Sequence, residues 1–266
     1  MTLKKKPAKA LIVFNESGAK LSSLGFDCVV VDQVCTRWLL KLREMNYEFR
    51  GFDHVYIQAK LTQSILHHGF ELGRPSEIHD FYVNVPCCVS EVPSDTKSLT
   101  GILNNIIYDA LLTLAANDQE QLARLKTVHR DILQKGEKSL ARLISASSPL
   151  YSVAILLQIC GPFPEGGSVY IQIEKDLSRY EFHLFNYAAY YDVRDLFHKL
   201  KIKGHSLIVQ PKKAWLAELG SIPASLEFPI NELIANSSMP ICLKEKLDQI
   251  GRSLTEKYGP PTDAPR

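Results

Sequence analysis

The sequence predicts an α+β protein: mixed or antiparallel sheets covered by a long αα-hairpin and a C-terminal helix. Three observations carry that prediction. Short β-branched runs recur in both halves of the chain, and helix groups interrupt them without the regular beat of a doubly wound parallel sheet. Between Leu99 and Ile132 the apolar residues fall at helical spacing, broken only by Asn117-Asp118. Gly161-Pro162-Phe163-Pro164-Glu165-Gly166-Gly167 then marks an emphatic turn between two strand-like runs.

Taken in order, Leu11-Ile12-Val13-Phe14 and Cys28-Val29-Val30-Val31 read as short buried strands. From Asp32, placed as the N-cap of a helix, apolar residues recur at Val34, Cys35, Trp38, Leu42 and Met45. Val55-Tyr56-Ile57 and Phe81 to Val85 are the next strands, with the segment from Thr62 to Ile78 left unassigned. Leu99, Leu103, Ile106, Ile107, Ala110 and Leu111 define one face of a long helix. Asp118 and Gln121 have the spacing of a capping box for a second helix carrying Leu122, Leu125, Val128 and Ile132, which Gly136 closes. So short a connection makes the two helices antiparallel neighbours, and a sheet is expected beneath them.

In the second half, Tyr151–Ile159, Ser168–Ile173 and Tyr180–Tyr187 read as strands. Asp192 is expected to cap a helix with Val193, Leu196, Phe197 and Leu200 inside, ending at Gly204. Leu207-Ile208-Val209 is a further strand. Pro240 opens a final helix with Leu243, Leu247, Ile250 and Leu254 as its stripe. Ser145-Ala146-Ser147-Ser148-Pro149 is the expected boundary, giving halves 1–146 and 147–258 and a loose tail at 259–266, with a single domain as the alternative. Val55-Tyr56-Ile57-Gln58 recurs as Val169-Tyr170-Ile171-Gln172, a short identity that hints at duplication without flanking support.

Composition bounds the function. The 266 residues are 45% hydrophobic and carry 31 basic against 29 acidic residues, a formal charge of +2. That balance argues against disorder and against a protein drawn strongly to polyanions. Six cysteines in a chain this long do not make a disulfide scaffold. The apolar run after Lys4-Lys5-Lys6 is shorter than a secretory signal needs, and Val153–Leu157 is far from a membrane span, so reduced cytosol and no membrane are expected.

Motifs for chemistry are sparse. Neither G-x-G-x-x-G nor G-x-x-x-x-G-K-[ST] occurs, and G-x-S-x-G is absent. His67-His68 with His79, and Cys87-Cys88, are clusters without metal-ligand spacing, so no metal and no cofactor are expected. Cys35, Cys87 or Cys88 meeting a histidine would make a Cys/His-dependent hydrolase or transferase, the first alternative function. No catalytic residue is assigned.

Two surface features remain. Lys199, Lys201 and Lys203, with Lys212 and Lys213, form a basic rim that could bind an anion or complement a helix C-terminus. A nucleic-acid accessory factor using that rim is the second alternative. Aromatics crowd between Tyr180 and Phe197. Simple alternation puts Tyr180, Phe182 and Leu184 on one strand face and Glu181, His183, Phe185 and Tyr187 on the other. Phe185, Tyr187, Tyr190 and Tyr191 are therefore the candidate partner-binding residues, unless helices cover both faces. The expected function is non-catalytic protein binding, with an immunity- or antitoxin-type inhibitor of a cognate toxin as its concrete form. Nucleic acid ranks low among expected partners, and the oligomeric state is open.

Overall fold

A computed structural model describes residues 5–15, 26–50, 53–61, 71–72, 80–87, 95–159, 167–187, 190–214 and 224–256. The fold is α+β, with a C-terminal helix. It divides into two compact units, Met1–Ser139 and Leu140–Arg266. The division falls before the expected linker, because Ser145–Pro149 completes a strand and turns a hairpin instead of linking two bodies.

In the first unit, β1 (Lys5–Pro7) pairs antiparallel with β3 (Glu48–Arg50). A second sheet has β2 (Ala10–Asn15), β4 (His54–Leu61), β6 (Asp80–Cys87) and β5 (Glu71–Leu72) in the order β2-β4-β6-β5. The first three of these are parallel and β5 is antiparallel to β6. The sheet is therefore mixed. Leu11, Val13, Val55 and Ile57 are buried while Ile12 between them is 42% exposed. That alternation marks strands with a single core-facing side.

Helix α1 (Cys28–Glu44) overturns part of the sequence reading, since Cys28–Val31 is its first turn and not a strand. Asp27, not Asp32, is the N-cap, and its carboxylate accepts from the amides of Val29 and Val30. Val30, Val31, Val34, Cys35 and Trp38 then form one buried stripe. Each valine costs a helix no more than ~0.7 kcal/mol, whereas burying its side chain returns about 1.5–3 kcal/mol. Burial wins.

Helices α2 (Thr96–Ala115) and α3 (Gln119–Lys135) form the expected pair, with α2 packed on β4, β6 and α1. By length and hydropathy α2 could cross a membrane. Its apolar face instead fills this core, with Leu103, Ile107 and Leu111 fully buried. Asp118 caps α3 through the Gln121 amide at 3.3 Å. The capping box is only half formed, because the Gln121 side chain accepts from the Glu48 amide at 2.9 Å and so ties α3 to β3.

The second unit opens with an antiparallel meander: β7 (Leu140–Ser147), β8 (Ser152–Ile159), β9 (Gly167–Lys175) and β10 (Ser178–Tyr187). Strand β7 is an addition to the sequence reading. The recurrent Val-Tyr-Ile-Gln segment lies in parallel β4 and antiparallel β9, so the two copies occupy different kinds of sheet. Most of the long turn before β9 lies outside the described residues, as do residues 62–70, residues 73–79 and the tail.

Helix α4 (Tyr190–Leu196) begins before Asp192, which is a buried first-turn residue and not the cap. It also ends early. Lys199–Lys203 is strand β11, joined through Gly204 at φ 58° to β12 (Ser206–Gln210), and β13 (Leu226–Pro229) completes a three-stranded antiparallel sheet. Helix α5 (Ile230–Asn236) follows. Helix α6 (Ile241–Glu256) packs against β10 with Leu243, Leu247, Ile250 and Leu254 buried, matching the expected stripe.

Candidate functional site

The aromatic surface expected on β10 is largely core. Phe185 is 3% and Tyr187 5% exposed, which removes both from a partner-facing surface. The cause is a β-bulge between His183 and Phe185. It inserts Leu184 as an extra residue, so Phe185 and Tyr187 join the face of Tyr180 and Phe182 opposite Val169 and Ile171. Phe185 stacks on Phe197 at 6.3 Å, and Gly251 of α6 packs closely against it. Tyr190 is half-buried, and the Tyr191 side chain lies outside the described residues.

The basic residues fare differently. Lys199, Lys201 and Lys203 are exposed on one face of β11, while Leu200 and Ile202 alternate with them on the other. They do not sit in a helix's last turn, so complementing a helix C-terminus is not their role. Among the described residues none of the three enters an ion pair. Beside them a groove of about 630 Å³ runs between β7 and the β11–β12 hairpin. Ser145 and Ser147 from β7 meet Lys201, Lys203, Ile208 and Gln210 there. The sequence marks both serines only as part of the expected boundary at Ser145–Pro149, not as site residues. The strict Lys-Leu-Lys-Ile-Lys alternation ahead of Gly204 was the available signal for the strand.

Three residues lock the turns near this hairpin. The Tyr151 hydroxyl donates to Asn231 Oδ1 at 2.5 Å and sits 2.8 Å from His205 Nδ1. The Tyr151 hydroxyl therefore bridges Asn231 and His205. The Ile230 amide donates to the His205 carbonyl at 2.8 Å. The β7–β8 turn, the β11–β12 turn and the start of α5 are thereby held as one block.

The catalytic cysteine candidates offer little. The Cys35 thiol is buried, and desolvation pushes it up to about 12. A thiol so protonated is not a nucleophile at neutral pH. The side chain of Cys87, and the whole of Cys88, His67, His68 and His79, lie outside the described residues. Among the described residues no three His, Cys, Asp or Glu side chains gather as metal ligands would.

The first unit holds a charged cleft of about 350 Å³ between α1 and α3. Lys41, nearly buried, reaches Glu44 at 3.0 Å and Asp131 at 2.8 Å, and Lys135 also pairs with Asp131. Burial raises the Asp131 carboxyl, but hydrogen bonds from Lys135 and Lys41 outweigh it and hold the group below the usual carboxylate range. With every one of these charges partnered, the cluster fastens α1 to α3.

Nearby, His129 stacks on Tyr108 at 3.6 Å, and its Nε2 has no hydrogen-bond partner among the described residues. Burial lowers its pKa, opposed by the charge of Asp109. The folded state then binds fewer protons than the unfolded chain just below pH 6.5, so stability falls as pH drops through that region. Asp109 acts oppositely, since burial raises its pKa and favours its protonated form in the fold. His129→Phe, which keeps the stack, is expected to flatten the loss of stability below pH 6.5. Urea midpoints across a pH series check this, and an unchanged slope refutes it.

The fold and these sites define a two-unit α+β protein with a basic strand-edge groove. Comparison with protein-family models, curated proteins and solved structures finds no match.

Proposed function

We propose that this chain works by binding a protein partner in the cytosol, without chemistry of its own, as an immunity- or antitoxin-type inhibitor that covers a cognate toxin. The observation that carries the reading is a pair of exposed leucines at one end of the β7–β10 sheet. Pairing of Ser147 with Ser152, of Ser152 with Glu174 and of Glu174 with Arg179 puts the Ser148–Tyr151 and Asp176–Leu177 turns at the same end. Each turn raises one leucine into solvent, Leu150 half-exposed and Leu177 fully so. Exposed aliphatic side chains on braced hairpins suit the apolar centre of an interface. The braces are the Tyr151 hydrogen bonds and the Lys175 ammonium 5.9 Å over the Tyr151 ring.

The experiment is affinity purification of the chain from its native host beside a Leu150→Ser/Leu177→Ser variant of unchanged circular dichroism. A stoichiometric partner is expected with the parent chain and not with the variant, and an activity of that partner should fall when the chain is added back. Recovery of the parent chain alone, or equal capture by both, overturns the reading.

A further inference from the structure

We propose that strand β11 docks an extended acidic segment of a protein partner, laid along the groove it shares with β7. The inference rests on the protein-binding reading above and names the chemistry of one contact. Three observations carry it. Lys199, Lys201 and Lys203 occupy alternate positions of one strand, so their side chains repeat about every 6.8 Å, the repeat of alternate residues in any other extended chain. A segment with Asp or Glu at every second position therefore meets each ammonium in register.

The groove itself supplies no competing charge. Its lining is Ser145, Ser147, Lys201, Lys203 and Gln210 with aliphatic neighbours, and holds no carboxylate. Glu227 shares the lysines' face but lies on β13, in register with Ile208 and Lys201. Two strand spacings, roughly 10 Å, separate it from Lys201.

β7 and β11 each end a sheet and share no ladder, but their Cα atoms come within 8 Å, less than the roughly 9.6 Å that a strand laid between them would need, so the segment lies over the lysines' face and not in a backbone ladder. The groove lining favours a peptide over nucleic acid. Bound single strands use aromatic platforms or guanidinium planes, and the groove lining contains neither.

The test uses the full chain and fluorescence anisotropy with three dye-labelled probes: an octapeptide alternating Glu and Val, its Lys-Val counterpart, and an eight-nucleotide oligothymidine. Saturable binding of the Glu-Val peptide alone is expected, weakened about tenfold in Lys201→Glu/Lys203→Glu as two exposed charge pairs are lost. Lys201→Gln/Lys203→Gln, which removes the charge without reversing it, serves if charge reversal disturbs folding and should weaken binding in the same direction.

Tighter binding of the oligothymidine assigns the groove to nucleic acid and overturns the proposal. So does equal binding of the Lys-Val peptide, or no binding at all. Variants that aggregate yet still bind the Glu-Val peptide as tightly show that the lysines only guard a sheet edge, which overturns it too. If the peptide fails while the partner is still lost in the leucine variant, only the groove assignment falls.

Discussion

Trp38→Ala should cost the first unit about 4–8 kcal/mol, enough to unfold much of the population where total stability lies toward the lower end of the usual range of about 5–15 kcal/mol. Trp38 has no exposed surface and sits on the α1 stripe, where it meets Asn104 and Tyr108 of α2 and His129 of α3. Its ring lies 6.4 Å from Tyr108 and 5.9 Å from His129, so truncation empties one corner of an aromatic cluster. A large aromatic truncated in a core typically loses ~3–5 kcal/mol. A second loss follows from the indole, which donates to Asn104 Oδ1 at 2.9 Å inside the core. Without it a buried amide oxygen of α2 loses its donor, at about 1–3 kcal/mol. Trp38→Phe separates the two effects, because it keeps most of the packing and removes the donor. Chemical denaturation of both variants is the measurement. A loss below about 1 kcal/mol in the alanine variant would show that α1 is not anchored through this residue.

Trp38 also illustrates what is legible in the sequence. Its helical spacing with Val34, Cys35 and Leu42 is visible there, as is the long face of α2. Strong periodicity over several turns reports burial directly. The beginning of α1 is hidden for the opposite reason. Three consecutive valines carry a local strand preference, and the burial of Val30 and Val31 beside Trp38 reverses it, while Val29 stays exposed. Asp27 just before them is the overlooked cue, a capping carboxylate one residue ahead of the helix.

The region from Asp192 to Lys203 misleads through competing periods. Val193, Leu196, Phe197 and Leu200 fit a helix, while Lys199 to Lys203 fits a strand, and the chain uses the first pattern up to Leu196 and then the second. On β10 a one-residue bulge is enough to invert the predicted faces of Phe185 and Tyr187, since side-chain direction alternates with every residue. Nothing in a local pattern announces such an insertion. The groove is illegible for a simpler reason. Ser145 and Ser147 lie more than fifty residues from Lys201 and Lys203, and only the folded chain brings them together.

Gly167→Ala is expected to destabilise the second unit by about 3 kcal/mol, at the upper end of the usual cost of overpacking. Gly167 opens β9 and is paired on both sides, with Ile159 of β8 and Tyr187 of β10. The Tyr187 ring folds over it, so an added methyl would strike the ring's Cζ and hydroxyl. The same methyl would lie 2.5 Å from the Gln158 carbonyl oxygen, which is backbone and cannot swing aside. An aromatic laid across a strand glycine covers backbone that lacks a side chain of its own, and it fixes the end of β10. The two clashes can be told apart by a double-mutant cycle with Tyr187→Leu. Removing the ring relieves only the first, so Gly167→Ala should cost about 1–2 kcal/mol in that background, a coupling of about 1–2 kcal/mol. Strict additivity would mean that the ring does not rest on the glycine. A neutral Gly167→Ala in the parent would mean that β8 and β9 part at this position, and then the bulge at Leu184, not the ring, must be what holds Tyr187 inside.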